Sequence, residues 1–297
     1  MRRRLYVTQS SIPVRPPRRF QDKKMKRSLT VGALMTLLFL LTRSLFSALP
    51  GAWSEPVGGL AAALVSLLLV RGATMAGLPR QTYYRPFSPS PVWFAFTPFF
   101  ILTILGLSTL TGLVGAAVGW EESASYSGPL AWLLLVHAVI PALCEEVTFR
   151  FCLPSLLAPY GKAGSVICCS VLFALMHTSP LRIPYALAAG LFLGTLAEAC
   201  RSPLPGMVMH LLNNACSLLI SLYGMPALAA VLSVLGVAAV VCGILLYKKR
   251  RELRADIAAV WAKDAGTARM AAQLIVSPMV VPVLFLVWLT VRGVMGS

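Results

Sequence analysis

The chain has 297 residues, of which 58% are hydrophobic and only 12% charged, and its mean hydropathy is +0.78. A soluble globule carries about 25% charge, and one this apolar would expose patches that aggregate, so a polytopic membrane protein is indicated and a soluble, disordered or collagen-like chain is excluded. The net charge of +16 does not mark a nucleic-acid binder: no binding module accompanies it, and the basic residues cluster beside apolar runs as cytoplasmic anchors do.

Residues 1–28 are polar, proline-containing and hold ten of the 26 basic residues by position 27. They read as a cytoplasmic tail without a cleavable signal, because the basic region is too long and lacks a small-residue cleavage site. A span needs about 20 mostly apolar residues. Nine stretches qualify, near 29–49, 57–75, 91–118, 128–149, 163–179, 183–200, 204–222, 225–247 and 272–292. The predicted fold is an all-α transmembrane bundle of about eight or nine spans with no soluble domain. N-terminal helices occupy 29–127, a core carrying the polar motifs 128–222, and C-terminal helices 223–297.

The connecting charges support this order. With the N-terminus inside, the inner connections hold Arg71, Arg80 and Arg85, then Arg150 and Lys162, then Arg201, then the cluster Lys248, Lys249, Arg250, Arg251 and Arg254. The outer ones hold Glu55, then Glu121 and Glu122, then only Arg182, as the positive-inside rule asks. Residues 248–270 are expected to form a basic amphipathic helix on the inner leaflet. The seven cysteines (Cys144, Cys152, Cys168, Cys169, Cys200, Cys216 and Cys242) lie singly or adjacent in apolar runs, without zinc or disulfide spacing, and read as small packing residues.

Ionisable groups inside spans are costly and mark function by default. Here they are Arg43, His137, Glu145, Glu146, Arg150, His177, Glu198 and His210, with Asn213 and Asn214 beside the last. The densest group is Cys144-Glu-Glu-Val-Thr-Phe-Arg150, behind Pro141, a kink candidate. Glu146 and Arg150 are four apart and pair on one helix face. Glu145 points about 100° away and has no in-helix partner, which makes it the candidate general base. Phe173-Ala-Leu-Met-His177 puts ring and imidazole on one face. His210-Leu-Leu-Asn213-Asn214 aligns His210 with Asn214, two donors able to hold an oxyanion. Taken singly, these read as an interfacial charge cluster, a core histidine and interhelical hydrogen bonding. Converged, they supply a base, a partner imidazole and oxyanion donors. His137 reads as a bundle hydrogen-bonding group, and Arg43 and Glu198 as span-end residues that snorkel or pair.

The ordered set Glu145-Glu146-x-x-x-Arg150, Phe173-x-x-x-His177 and His210-x-x-x-Asn214 resembles the CAAX-processing and bacteriocin-processing (CPBP, or Abi) family of intramembrane proteases, which includes the type II CAAX prenyl endopeptidases. The resemblance covers about residues 128–222. It implies an all-helical protease with a polar cavity in the bilayer and a membrane-anchored peptide substrate, prenylated or bacteriocin-like. It further implies that Glu145 and His177 activate a water, that His210 and Asn214 hold the oxyanion, and that Glu146 and Arg150 are a supporting pair, with Asn213 structural. Zinc on Glu145, His177 and His210 is the less favoured alternative, because the chain has no His-Glu-x-x-His helix or thiol ligand suitably placed. The competing readings are a non-catalytic immunity or scaffold protein on the same fold, and a transporter, which the lack of paired broken spans disfavours. A bacterial plasma membrane is the expected location.

One depth conflict follows. A straight fifth span from Ala163 carries His177 about 20 Å inward, whereas Glu145 lies about 7 Å from the inner end of a span closing at 149. Either residues 151–162 dip into the membrane, or the chain is broken around Pro141 and Pro154.

Overall fold

The computed structural model describes residues 18–51, 53–81, 89–120 and 126–295. Every regular element among them is a helix, as lipid demands of a backbone that must satisfy its own hydrogen bonds. In chain order they are α1 (Arg18–Ser47), α2 (Ser54–Met75), α3 (Thr97–Ala117, led in by a tight turn over Pro91–Phe96) and α4 (Leu130–Tyr160). Then follow α5 (Lys162–Leu175), α6 (Ile183–Cys200), α7 (Leu204–Tyr223), α8 (Met225–Trp261), α9 (Ala265–Val276) and α10 (Val280–Met295). Seven of these are long and apolar enough to cross a membrane, and two shorter apolar helices, Lys162–Leu175 and Val280–Arg292, accompany them. The protein is a multi-pass, all-helical membrane protein.

Three boundaries differ from the sequence expectation. Helix begins at Arg18, inside the expected tail of residues 1–28; residues 1–17, with Arg85, Glu121 and Glu122, lie outside the described residues. Residues 248–261 continue α8 as one 37-residue helix, so the basic cluster is its end and not a separate surface helix. The Ala-rich stretch after Arg254 has no glycine or proline before Trp261, which explains the continuity. The expected last span, 272–292, is divided between α9 and α10 at Ser277 and Pro278, where the proline biases its predecessor away from helix.

The largest difference concerns α4. It does not close at 149 but runs 31 residues to Tyr160, with Glu145 at its midpoint. Two segments widen into π-helix, Leu135–Val139 and Val147–Cys152. Each ends just before a proline, Pro141 or Pro154. A proline has no N–H and its ring crowds the carbonyl four residues back, and the wider turns, which occur mostly at functional sites, accommodate that crowding. The helix therefore bulges twice where a break was expected, and Arg150 lies in the buried interior, not in an inner connection. This removes the depth conflict. Fifteen residues separate Glu145 from Tyr160 and fifteen separate Lys162 from His177, so both groups stand about 22 Å from the α4–α5 corner.

Packing holds α4 at the centre. Phe39 of α1, Phe149 of α4 and Phe173 of α5 form a buried edge-to-face ladder, with centroids 5.5 and 5.8 Å apart. Aromatic contacts of this kind are worth about 0.5–1.5 kcal/mol each beyond their area. Thr148 Oγ1 donates to Ser66 Oγ of α2 at 3.3 Å in the buried interior. Helices α5 and α6 approach closely because Gly190 faces Ser170; a Cβ there would sit 3.0 Å from the Ser170 backbone. Small residues at such crossings are how membrane helices pack. A second apolar cluster, including Phe100, Leu193, Met209 and Leu235, joins α3, α6, α7 and α8. All seven cysteines are free thiols, four of them buried.

Candidate active site

The midpoint of α4 presents two adjacent carboxylates to different neighbours. Glu146 is fully buried. Its Oε1 lies 3.3 Å from Arg150 Nη1, one turn along α4, so the pair expected from the four-residue spacing forms. The same oxygen accepts from His210 Nδ1 at 3.0 Å. Glu146 therefore ties α4 to α7 and fixes the orientation and tautomer of His210, as carboxylates do for functional histidines. Gly206, one turn before His210, makes room for it: a Cβ there would stand 3.1 Å from Glu146 Oε2.

Glu145 turns the other way. Its side chain is buried but reaches Arg43 of α1, whose Nη1 donates to Oε1 at 3.3 Å. Its Oε2 lies 3.9 Å from His210 Nε2, too far for a direct hydrogen bond. The sequence reading left Glu145 without an in-helix partner; the partner comes from another helix. His210 thus stands between both carboxylates, Nδ1 committed to Glu146 and Nε2 facing Glu145.

His177 lies just beyond the end of α5, in the turn that precedes α6, and not on the helix itself. Its Nδ1 donates to the Phe173 carbonyl at 2.9 Å, which leaves Nε2 as the ring's acceptor. Thr178, immediately after it, adopts φ 51°. A β-branched residue in the left-handed region is an outlier, and such outliers cluster at functional sites. The turn ends α5 and folds the imidazole back over its own last turn.

Phe173 joins the pieces. Its ring is 5.1 Å from the His177 ring and 5.8 Å from the His210 ring, and the Arg150 guanidinium lies 4.0 Å from its centroid. The structure thus brings Glu145, Glu146, Arg150, His177 and His210 together from three segments. Asn214 sits one helical turn beyond His210 on α7, as the spacing predicts, and makes no hydrogen bond among the described residues. Asn213 Oδ1 is buried without a donor among them.

Other sequence candidates fall outside this cluster. His137 packs its ring 5.1 Å from Tyr126, with no hydrogen bond to the acids among the described residues. Glu198, near the end of α6, pairs and does not snorkel: it is buried and accepts from Gln81 Nε2 at 3.0 and 2.9 Å. Gln81 also donates its backbone N–H to the Ser155 carbonyl at 2.7 Å, so this link clamps the ends of α4 and α6. Sequence reasoning passed over Gln81 and Gly206, and it named Arg43 as a residue that snorkels or pairs without identifying its partner. The signal for Arg43 was present, a lone cation in an apolar run, but its partner lies 102 residues away. Among the described residues, no group of three or more His, Cys, Asp and Glu side chains is arranged to hold a metal.

Residues 127–216 match the family described as Type II CAAX prenyl endopeptidase Rce1-like. This is the family that the ordered motifs resemble, and the matched segment contains Glu145, Glu146, Arg150, His177, His210 and Asn214. Comparison with curated proteins and with solved structures gave no match.

Proposed function

We propose that the protein is an intramembrane endopeptidase that hydrolyses a peptide bond of a membrane-anchored substrate by means of a water activated between Glu145 and His177. The observation that carries this reading is the position of Glu145, a buried carboxylate at the centre of a 31-residue span, 3.9 Å from Nε2 of His210, whose ring and that of His177 both pack on Phe173. Glu145 takes a proton from the water as its oxygen adds to the scissile carbonyl carbon. His177 Nε2 accepts a hydrogen bond from the same water and orients it. His210 Nε2 and Asn214 donate to the oxyanion. Because His210 Nδ1 already donates to Glu146, Nε2 donates only if the ring is an imidazolium from the start of the reaction, its charge balanced by Glu146 and unchanged throughout. Glu145 then returns the proton to the departing amine as the C–N bond breaks. Positioned acid–base groups of this kind supply about 10²–10⁴-fold.

Every step above uses side chains and water alone, and zinc on Glu145, His177 and His210 is the alternative that the chelator arm below decides. The substrate is a peptide held near the bilayer by its own anchor, prenylated or bacteriocin-like, and the protein sits in a bacterial plasma membrane with its basic N-terminus in the cytoplasm. The test is cleavage of a library of lipid-anchored peptides by purified protein in liposomes, with and without chelator. Hydrolysis that survives the chelator is expected. Failure to cut any member would contradict the protease, and loss of cleavage on chelation alone would contradict the metal-free water.

A further inference from the structure

A cavity that Arg43 lines holds two charged groups that the chemistry above does not use, Arg43 and Glu55. It measures about 650 Å³ and opens between α1, the α5–α6 turn and α10, with Leu41, Arg43, Thr178, Phe285 and Leu289 on its walls. That is the volume of a site for a drug-sized ligand or a short peptide segment. Its walls are mostly apolar, and Glu55, from the first turn of α2, also lines it. Arg43 is its only cation among the described lining residues.

Arg43 is built unlike the other arginine of the site. Arg150 is 2% exposed and enclosed by Glu146 and Phe173, whereas the Arg43 side chain is 42% exposed against 8% for its partner Glu145. A guanidinium carries five N–H donors, and Arg43 makes one hydrogen bond among the described residues, to Glu145 Oε1. The remaining donors are available to whatever fills the cavity.

We infer that Arg43 is a specificity-determining residue that receives a carboxylate carried by the substrate close to the bond to be cut, and that it rests on Glu145 until such a substrate arrives. This rests on the proteolytic reading of the site and extends it to substrate selection. A cation facing an apolar groove needs a counter-ion. Glu145 fills that role at rest, and one of its two oxygens is then occupied by the guanidinium. A substrate carboxylate exchanges one ion pair for another and leaves Glu145 to the water. A neutral substrate that displaced Glu145 would strand the guanidinium unpaired, a penalty that discriminates against it. Glu55 repels an anion elsewhere in the groove, which directs the acid to Arg43. The carboxylate can come from a free peptide C-terminus or from an Asp or Glu side chain beside the cut bond.

The experiment uses three peptides with the same acyl anchor in proteoliposomes: one ending in a free carboxylate, one in an amide, and one amidated with a single Asp within three residues of the cut bond. For the wild-type protein, kcat/KM for the free acid is expected to exceed that for the amide about tenfold, mainly through KM, the size of one charge-assisted hydrogen bond. That preference falls to about one in Arg43→Gln and is partly kept in Arg43→Lys. A merely structural role for Arg43 would lower cleavage of acid and amide alike and leave their ratio unchanged, and this result would overturn the proposal. High activity on the Asp peptide assigns the carboxylate to a side chain; activity confined to the free acid assigns it to the C-terminus. Binding to Glu145→Gln supplies a readout independent of catalysis. There Arg43 has lost its resting partner, so the free acid should bind more tightly than to wild type and more tightly than the amide, and Arg43→Gln on that background should abolish the difference. If the wild-type protein cuts none of the peptides, the protease reading falls, and equal binding of acid and amide to Glu145→Gln would refute the role of Arg43 separately.

Discussion

Helices α4 and α8 are both long and apolar, yet they use the membrane in opposite ways. Helix α8 is the most apolar span, and almost none of its apolar stretch is buried: Val234, Val237, Val240, Val241 and Ile244 all face outward. Helix α4 is less apolar, and its buried face carries Glu145, Glu146, Thr148 and Arg150. In water the greasiest helix would go inside. In a bilayer the lipid is as apolar as leucine, so polarity, small residues and hydrogen bonding decide which helix is central. A cluster of buried charges here therefore identifies the middle of the bundle, and an uninterrupted apolar run identifies its lipid-facing edge.

The sharpest way to break this contrast is to disarm the centre. Glu145→Gln removes the proposed base while keeping the shape, and peptide cleavage should fall by up to about 10⁴-fold with the protein still folded; a purified variant that retains turnover would remove Glu145 from the chemistry. Arg150→Met leaves Glu146 buried beside His210 without its guanidinium, which should cost about 3–5 kcal/mol in thermal or denaturant unfolding in detergent. The cost should be much smaller for the double variant Arg150→Met with Glu146→Gln, since no uncompensated charge then remains. Pro141→Ala allows the Leu135–Val139 bulge to close and turns Glu145 relative to His177. A displacement near 1 Å costs about 10²-fold in rate, with little change in stability, and crosslinking between α4 and α7 would detect the shift. Gly206→Ala places a methyl against Glu146 Oε2 and should cost about 1–2 kcal/mol. At the far end of the scale, Val237→Ala on the lipid face of α8 should stay within about 0.5 kcal/mol of wild type. A large effect there would mean that α8 is covered by something other than lipid.

What the sequence revealed follows the same division. The apolar runs identified the helices because hydropathy reports contact with lipid directly. The i,i+4 spacings revealed the Glu146–Arg150 pair and the His210–Asn214 alignment, because helix periodicity is local. The sequence reading failed where geometry depends on elements far apart in the chain. Arg150 resembled a span-end charge because nothing local distinguishes an arginine buried against Phe173 from one that meets headgroups. Glu198 was expected to snorkel or pair; it pairs, but its partner Gln81 lies 117 residues earlier and could not be named from local sequence. The depth conflict between Glu145 and His177 was itself informative: it required irregularity near Pro141 and Pro154, and α4 widens there. A proline signals crowding of a carbonyl, but whether the helix breaks or bulges is decided by the packing around it.

The central claim is that Glu145 and His177, brought together from α4 and the α5–α6 turn, act on one water. The most direct test is a double-mutant cycle on kcat/KM for a lipid-anchored peptide, with Glu145→Gln, His177→Ala and the two combined. Groups that act as a unit are strongly non-additive, so the double variant should be about as slow as the slower single one. Losses that multiply would show two independent roles and contradict a shared water.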